Sequence, residues 1–423
     1  MVNLREVLKT NELDDKIKLL ICDDAIEEEK TRYLDLLAQA EGLYGEGEYH
    51  IISAPGRTEI GGNHTDHQHG KVIAASVNVD SVALVKKNTD NIVRIKSVGF
   101  NIKPIDLSDL SVHQDEINTT ESLIRGIAYR FKELGYQIGG LDALSQSKVL
   151  VGSGISSSAS FEVLIAELFN QLYNKGKVDA IEIAKIAQYA ENVYFGKPCG
   201  LLDQMAISCG GFTIMDFENP SAPIVEKHDF NFDKYGYHLV LTNTKGDHAD
   251  LSDEYAKIPG EMKLVAKAMG HEVLRECDET EFYKNFASIR KEVNNDRAML
   301  RAIHLFAENH RVDLQAKAIK EENIDKLLKL MKESGRSSYQ YLQNVSCVIK
   351  PYSQSLGIAL ALSEKTLNGE GAFRVHGGGF EGTIQAIVPN HLLKEYLAIM
   401  QGVFGEDATF EMNIRSVGGY KLI

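Results

Sequence analysis

The chain of 423 residues contains no tryptophan, and its five cysteines lie far apart along the sequence. No two of them form a Cys-x-x-Cys pair, so the sequence indicates neither a disulfide framework nor a zinc site. No apolar stretch approaches the length of a membrane span, and the first residues include Arg5, Lys9 and acidic side chains where a signal peptide would be apolar. We therefore expect a cytoplasmic protein that does not enter a membrane.

Basic residues are outnumbered by acidic ones, with 46 lysines and arginines against 60 aspartates and glutamates. The formal net charge at pH 7 is −14, and no cluster of lysine and arginine is long enough to offset it locally. This balance disfavours a general nucleic-acid surface, and we expect no nucleic-acid partner. ATP remains possible as a ligand, because a phosphate is recognised by a few local groups rather than by the charge of the whole chain.

Two common nucleotide motifs are missing. The sequence has no Gly-x-x-x-x-Gly-Lys-Ser/Thr phosphate loop. A Gly-x-Gly-x-x-Gly is present at Gly377, Gly379 and Gly382, but a strand-like segment follows it instead of the helix that a dinucleotide site requires. We interpret residues 376–382 as a tight glycine turn beside a ligand or another backbone segment; a purely structural turn is the alternative.

Length and composition set the scale of the fold. With 423 residues, of which 43% are hydrophobic, the chain exceeds the usual size of one domain, and we expect two. The mixture of helical and strand-like spacing favours an α+β or α/β class. We place a helical extension over residues 1–46, a first domain over 47–220 and a second domain over 221–423.

The same spacing predicts the individual elements. Strands are expected over residues 49–54, 72–87, 92–98, 210–215, 238–242, 382–388 and 409–414. Helices are expected over residues 121–134, 161–174, 178–194, 282–308, 324–343, 359–368 and 392–401. A Pro-Gly turn is expected directly after the first strand, at residues 55–56.

A serine-rich loop opens one of these helices. Residues 152–160 read Gly-Ser-Gly-Ile-Ser-Ser-Ser-Ala-Ser. The first N–H groups of a helix have no internal acceptor and lie at the positive end of its dipole, so a loop of small residues here can surround a phosphate. The hydroxyls of Ser156, Ser157 and Ser158 add donors, and one of them could ligate a metal ion on the phosphates. An ordinary serine N-cap is the alternative.

A second polar cluster runs from Gly56 to Gly70 and reads Gly-Arg-Thr-Glu-Ile-Gly-Gly-Asn-His-Thr-Asp-His-Gln-His-Gly. An arginine, carboxylates and polar side chains between glycines suit a sugar site, because a carboxylate accepts hydrogen bonds from neighbouring hydroxyls and Arg57 can neutralise developing negative charge. The spacing of His64, His67 and His69 is not a firm metal-ligand pattern.

The third cluster contains two acids. Glu191 lies near the end of a predicted helix, and Asp203 follows a turn with glycine and proline, so both carboxylates could face one pocket. One would hold Mg²⁺, and the other would position or deprotonate an attacking hydroxyl. Two solvated loop acids are the alternative for this cluster taken alone. Together with the serine loop and the arginine cluster, it indicates phosphoryl transfer.

The three clusters together resemble the GHMP small-molecule kinase superfamily and, within it, the galactokinases, over residues 47–423. The Gly56–Gly70 cluster is similar to the galactokinase signature, which usually reads Gly-Arg-Val-Asn-Leu-Ile-Gly-Glu-His-Thr-Asp-Tyr. Residues 152–160 resemble the family's phosphate loop, and residues 376–382 resemble its glycine-rich third motif. Residues 243–255 are similar to a stretch whose tyrosine lines the sugar pocket.

The resemblance implies a two-domain α+β GHMP kinase fold, with the active site in the cleft between the domains. It implies an ATP-dependent sugar 1-kinase that uses Mg²⁺ and takes D-galactose as substrate. The sequence does not fix the oligomeric state, and a monomer is favoured. Catalysis would fall to Asp203 and Arg57. The sugar would be bound by Asn63, His64, Asp66, Gly200 and Tyr255. The ATP phosphates would be held by Gly152, Ser153, Gly154, Ile155, Ser156, Ser157 and Ser158, and Mg²⁺ by Ser158 and Glu191.

Two alternatives remain open at this stage. Asn63 stands where galactokinases usually carry glutamate, a residue expected to bind the sugar's 6-hydroxyl. Because asparagine supplies donors that would tolerate a carboxylate at C6, galacturonate or another monosaccharide is an alternative substrate. A non-catalytic sugar and ATP sensor is a second alternative, and the presence of Arg57, Asp203 and the serine loop speaks against it.

Overall fold

The computed structural model describes residues 4–21, 25–97, 99, 101–149, 154–246 and 251–423. The α-helices in these ranges are α1 (Leu4–Leu8), α2 (Asp14–Ile17), α3 (Ile26–Tyr44), α4 (Thr120–Glu133), α5 (Ser157–Tyr173), α6 (Ala180–Tyr189), α7 (Leu202–Cys209), α8 (Ser252–Ala268), α9 (Glu279–Lys284), α10 (Phe286–Val293), α11 (Asp296–Lys320), α12 (Ile324–Ser337), α13 (Ser355–Leu367) and α14 (Leu393–Phe404). The strands are β1 (His50–Gly61), β2 (Lys71–Lys87), β3 (Ile92–Ser97), β4 (Ile105–Asp106), β5 (Leu141–Ser147), β6 (Phe212–Asp216), β7 (Ile224–His228), β8 (Tyr237–Asn243), β9 (Ala372–Val375), β10 (Thr383–Pro389), β11 (Thr409–Met412) and β12 (Tyr420–Lys421).

The described strands form two sheets. The larger sheet has the order β12-β1-β2-β5-β3-β4, with β6 paired to β2 and β7 paired to β6. The smaller sheet has the order β11-β8-β10-β9. All pairs between these strands are antiparallel except β3 with β5. Because β12 pairs with β1, the last strand of the chain returns to the first sheet.

The predicted turn at residues 55–56 is wrong. Strand β1 continues through Pro55 and Gly56 to Gly61, and the pairing register with β2 shifts between these two residues. A bulge absorbs a proline that cannot donate to the ladder, so the strand bends instead of ending. The consequence is functional, since the extended half of β1 carries Arg57 to the cleft.

Three predicted helices are divided. The segment expected over 324–343 forms α12 followed by a π-helical turn, Ser338–Leu342. The segment expected as one helix over 282–308 forms α9, α10 and α11, and Asn294 between the last two has φ 49°. The segment over 178–194 forms α6 followed by a π-helical turn, Ala190–Phe195, which contains Glu191. The other predicted elements are present with shifted ends, and no helix in the described ranges is long and apolar enough to span a membrane.

Six apolar clusters pack the described elements, and three of them hold the larger sheet and join it to the smaller one. Helices α4, α5 and α6 pack on one face of the larger sheet, through residues such as Ile127, Phe131 and Phe169. The N-terminal helix α3 covers the other face, where Leu37 belongs to the same core as Leu144. A further core joins the two sheets and includes residues from β1, β2, β6, β8 and α12. The halves of the molecule therefore share buried apolar surface beside the cleft.

Candidate active site

Arg57 and Asp203 form a two-point ion pair at the centre of the cleft. Arg57 lies in β1 beyond the bulge, and Asp203 lies in the first turn of α7. Arg57 Nε is 2.7 Å from Asp203 Oδ1, and Arg57 Nη2 is 3.1 Å from Asp203 Oδ2. This geometry fixes both side chains in one plane. The arginine is buried, while 36% of the Asp203 side chain remains exposed, so a substrate can reach the carboxylate.

The surroundings of Asp203 keep it ionised. Enclosure by the protein would raise the pKa of the Asp203 carboxyl, but the charge and hydrogen bonds of Arg57 and a hydrogen bond from the Ser156 hydroxyl outweigh this effect. The pKa is therefore lowered from its usual value of 3.8. At neutral pH this group is an anion that accepts hydrogen bonds.

The described part of the phosphate loop is tied to the same arginine. The Gly154 carbonyl accepts a hydrogen bond from Arg57 Nη1, and the Ile155 carbonyl accepts one from the Arg57 backbone N–H at 3.2 Å. Helix α5 starts at Ser157 without an acidic residue in its first turn and without a side-chain cap. Its first N–H groups are open to an anion. Gly152 and Ser153, also predicted to bind phosphate, lie outside the described residues.

Three buried polar side chains meet close to this loop. Gln204 Nε2, next to Asp203 in sequence, donates to Glu162 Oε2 at 3.0 Å and to Glu191 Oε2 at 2.8 Å. Burial, with the added effect of Glu191, raises the pKa of the Glu162 carboxyl well above its usual value. Lys197 Nζ lies 3.4 Å from Glu191 Oε1. The group brings predicted Glu191 together with two residues that were not predicted.

These residues suit Mg²⁺, the ion that a transfer from ATP would use. Glu162 Oε1 and Gln204 Oε1 are buried acceptors with no hydrogen-bond donor among the described residues. Carboxylate and amide oxygens are preferred ligands of Mg²⁺. Ser158 lies one helical turn before Glu162 on the same face of α5. Although the described residues contain no cluster of three or more acidic, histidine or cysteine side chains placed to hold a metal, one or two carboxylates suffice when ATP supplies phosphate oxygens.

Asp66 and Gly200, two predicted sugar ligands, come together. Asp66 begins the short 3₁₀ turn Asp66–Gln68, and Gly200 shortly precedes α7. A Cβ atom at Gly200 would lie 1.8 Å from Asp66 Oδ2, so the carboxylate rests directly against the Gly200 backbone. Only glycine permits this approach. Because Asp203 is in the first turn of α7, the structure brings Asp66 to the segment that carries the central carboxylate.

His64 and Tyr255 meet at the glycine turn. His64 Nε2 lies 3.0 Å from the Gly378 carbonyl oxygen, and the Tyr255 hydroxyl donates to the Gly379 carbonyl at 2.9 Å. Burial, with a smaller effect of nearby His67, lowers the pKa of His64 to about 4. Burial raises the pKa of Tyr255 to about 12. Both side chains are uncharged at neutral pH and present hydrogen-bonding groups. Residues 247–250 of the stretch that precedes Tyr255 lie outside the described residues.

Asn63 is the predicted site residue that the structure does not bring to the cleft surface. Its side chain is completely buried. Nδ2 donates to Glu59 at 3.0 Å and to the Gly377 carbonyl at 2.9 Å, and Oδ1 accepts from Ser338 and Asn344 at 3.1 and 2.9 Å. An amide with both ends occupied by the protein has no free atom for a sugar. The contact of Asn63 with the substrate stays a prediction, and this arrangement of its partners speaks against it.

The sequence did not predict the hydrogen bonds that connect the serine-rich loop to the acidic residues of the site. Ser156 was expected only at the phosphates, yet its hydroxyl donates to Asp203. Glu162 could have been predicted as a site residue. It follows Ser158 by one helical turn, on the helix that begins at the predicted phosphate loop. Gln204 has no such signal, because a glutamine in a sequence does not by itself indicate a particular chemistry.

Comparison with known proteins finds relatives of this chain. Residues 122–211 match the family model of the GHMP kinases N-terminal domain, and residues 41–87 match the galactokinase galactose-binding signature. The galactokinase of Clostridium tetani is 29% identical over 349 residues, covering 82% of this chain and 86% of the relative. The galactokinase of Bacillus subtilis is 29% identical over 377 residues, covering 88% and 91%.

Solved structures share the fold. The crystal structure of Lactococcus lactis galactokinase complexed with galactose aligns with a TM-score of 0.77 at 23% identity, covering 91% of this chain and 98% of that one. Mevalonate kinase of Methanococcus jannaschii aligns with a TM-score of 0.60 at 16% identity, covering 87% and 99%. The matched family models, the curated relatives and the shared fold indicate a phosphotransferase of the GHMP kinase type that acts on a sugar hydroxyl. Among the GHMP kinases its resemblance is to the galactokinases, and the predicted α+β GHMP kinase fold is confirmed.

Proposed function

We propose that this protein transfers the γ-phosphoryl group of ATP directly to the C1 hydroxyl of D-galactose. The observation that carries the proposal is the Arg57–Asp203 pair, which joins a partly exposed, ionised carboxylate to the carbonyl of Gly154 in the predicted phosphate loop. The pair thus positions the Asp203 carboxylate, which can accept a hydroxyl proton, next to the loop that would bind the ATP phosphates. The galactokinases of Clostridium tetani and Bacillus subtilis, which match more than four fifths of the chain, point to galactose as the sugar.

Asp203 would orient the attacking hydroxyl. An ionised carboxylate next to the cleft accepts the hydroxyl proton and aims the oxygen lone pair at the γ-phosphorus. Because the pKa of Asp203 is lowered, the group is a weak base and takes the proton late, when the new P–O bond is largely formed. Its contribution is therefore mainly to geometry and electrostatics.

Arg57 would stabilise the charge that develops during transfer. Its guanidinium lies between Asp203 and the Gly154 carbonyl, close to the start of α5. A fixed cation in a partly enclosed site stabilises a transition state more than water does. Mg²⁺ bound with ATP would neutralise phosphate charge, and Glu191, Glu162 and Ser158 are the residues that would hold it. Asp66 and His64 would bind the remaining sugar hydroxyls.

The structure weakens the case for galacturonate. That alternative rested on Asn63 facing C6 of the sugar, and the Asn63 amide is instead buried and fully bonded to protein groups. A sensor that has lost catalysis is also less well supported, because Arg57 and Asp203 are intact and paired.

The test is an ADP-release assay with Mg·ATP and galactose, galacturonate, glucose and mevalonate as separate acceptors. We expect turnover with galactose above the others. Asp203→Asn should keep ATP affinity and lower kcat by about 100-fold or more, as expected for loss of a positioned acid–base group. Asp313→Asn, which removes an exposed ion pair with Lys71, is the control and should keep wild-type rates. A near-normal kcat in Asp203→Asn would contradict the proposal. A preference for galacturonate would show that galactose is not the substrate.

A further inference from the structure

A buried ion pair connects the two sheets behind the cleft. Glu59 lies in β1, two residues after Arg57, and Arg374 lies in β9, two residues before His376. Glu59 Oε1 is 2.6 Å from Arg374 Nη2, and both side chains are buried. The pair fixes the end of the strand that leads into the glycine turn, residues 376–382, against the strand that carries Arg57.

Asn63 extends this pair to the turn itself. Its Nδ2 donates both to Glu59 and to the Gly377 carbonyl. Its Oδ1 accepts from Ser338 and Asn344, which follow helix α12. A single amide thus links β1, the glycine turn and the segment after α12. Because a turn built largely of glycine has few side chains to hold its shape, its conformation depends on such external partners.

The cleft side of the turn depends on the same partners. The Gly378 carbonyl accepts from His64 at 3.0 Å and from Asn344 at 3.2 Å. The Gly379 carbonyl accepts from Tyr255 at 2.9 Å. Three consecutive carbonyls of the turn are therefore bound, and Asn63 holds the first of them. His64 follows Asn63 directly, so a shift of Asn63 moves both His64 and its acceptor.

We propose that Glu59, Asn63 and Arg374 are positioning residues that hold the glycine turn, and through it His64 and Tyr255, in the geometry that binds the sugar. This inference rests on the proposed function, since it assigns His64 and Tyr255 to the sugar. It gives Asn63 an indirect role in substrate affinity instead of a direct contact. The ATP side has a second support, because the Gly154 carbonyl, which lies close to Gly377 of the turn, also accepts a hydrogen bond from Arg57.

Asn63→Asp is the decisive variant, because it keeps the shape of the side chain and removes its donors. The new carboxyl group would face Glu59 and the Gly377 carbonyl, so that at most one shared proton would replace the two amide N–H donors. We expect the Kd for galactose, measured by calorimetry without ATP, to rise at least tenfold, and the Kd for ATP to change less than threefold. Hydrogen exchange of peptides that cover residues 376–382 should become faster.

Two further variants keep the test decisive if Asn63→Asp folds poorly. Ser338→Ala removes only one donor to Asn63 Oδ1, and we expect a two- to fourfold rise in the galactose Kd with the same exchange signature. Asp80→Asn breaks the buried ion pair between Asp80 of β2 and Arg32 of α3 and is the matched control. It should lower Tm while leaving the galactose Kd and the exchange of residues 376–382 unchanged.

The outcomes separate this inference from the proposed function. If galactose and ATP affinities change equally in folded variants, or exchange at the turn stays at the wild-type level, the positioning role is wrong. If the wild-type protein binds galactose but releases no ADP, the proposed function fails while the comparison of Kd values still decides the inference. If the wild-type protein does not bind galactose, both are wrong as stated.

Discussion

Ser156 connects the start of α5 to Asp203. Its backbone precedes α5 in the left-handed region, with φ 59°, and its hydroxyl donates to Asp203 Oδ2. A non-glycine residue holds this conformation only where the surroundings favour it. Here the hydrogen bond to Asp203 supplies such a reason. A change in the phosphate loop would therefore alter the carboxylate as well.

In Ser156→Ala, we expect the acid limb of the pH–kcat profile to move to higher pH. The pKa of Asp203 is lowered in the folded protein, so the active anion is present at neutral pH and is lost as pH falls through that pKa. Removing the Ser156 donor raises the pKa, and the loss of activity on acidification should begin at a higher pH. The measurement is kcat at saturating substrates, from neutral pH down to the lowest pH at which the protein stays folded.

Ser157→Ala provides the comparison, since this neighbouring serine makes no described contact with Asp203. Whatever its effect on the rate, its acid midpoint should equal that of the wild type. An acid midpoint in Ser156→Ala that also equals the wild-type value would show that the hydroxyl does not tune Asp203.

For single residues, the sequence indicates which chemical groups are present but not the direction in which a side chain points. Arg57 and Asp203 could be predicted because their neighbours form recognisable clusters, although 146 positions separate them. The inward turn of Asn63 could not be predicted, because its partners Gly377 and Asn344 lie 314 and 281 positions away. A motif position indicates which residue is present and not which way its side chain points.

At the scale of elements, the glycine turn between β9 and β10 is the most constrained segment of the site. Gly379 has φ 81°, and a Cβ atom added there would lie 2.1 Å from the Asn344 carbonyl oxygen. The Phe380 N–H donates to that same carbonyl. Gly379 is therefore required both for its backbone conformation and for the space around it.

Gly379→Ala should damage both stability and sugar affinity. The left-handed conformation costs an alanine roughly 1–2 kcal/mol, and the clash with Asn344 adds to this cost. We expect a fall of at least about 2 kcal/mol in the free energy of unfolding and a raised KM for galactose. Denaturant titration and initial-rate kinetics measure the two effects.

Gly369→Ala separates strain from contact. Gly369 has φ 95° but no atom within 4 Å of an added Cβ, and it lies in the loop before β9. This variant should lose about 1–2 kcal/mol and keep the wild-type KM for galactose. Equal effects of the two variants on KM would mean that the turn has no special role.

Elements with clean periodicity were predictable, and those with breaking residues were not. The long alternation of β2 and the apolar spacing of α5 could be read from the sequence. Helix α8 was missed, because Pro259 and Gly260 lie inside it and normally indicate an interruption. Strands β9 and β12, of four and two residues, are too short for any periodic signal and exist through their sheet partners.

At the scale of the whole molecule, buried charges connect the two ends of the chain. Asp80 in β2 lies 2.8 Å from Arg32 of α3 and 3.8 Å from Arg415, which precedes β12. Arg32 also pairs with Glu29 at 2.6 Å. Helix α3 and the segment before β12 are therefore both joined to Asp80, on the face of the larger sheet opposite α5.

Asp80→Asn should destabilise the protein strongly at neutral pH. Loss of the carboxylate leaves Arg32 and Arg415 buried with less compensation, and breaking a buried pair in this way costs about 3–5 kcal/mol. The measurement is the free energy of unfolding by denaturant. Asp90→Asn, which breaks an exposed pair with Arg94, is the comparison and should change stability little.

The pH dependence of this difference tests its electrostatic origin. Burial opposes ionisation of Asp80, but Arg32 and Arg415 outweigh burial and lower its pKa from 3.8. A lowered folded-state pKa gives stability that is present above the unfolded-state pKa and is lost as pH falls through the folded-state pKa. The gap between wild type and Asp80→Asn should therefore be constant near neutral pH and should shrink as pH falls below about 5. A gap that stays constant down to the acid unfolding limit would mean that the Asp80→Asn substitution disturbs packing instead of charge pairing, and the two ends of the chain would then be held by shape and not by this ion network.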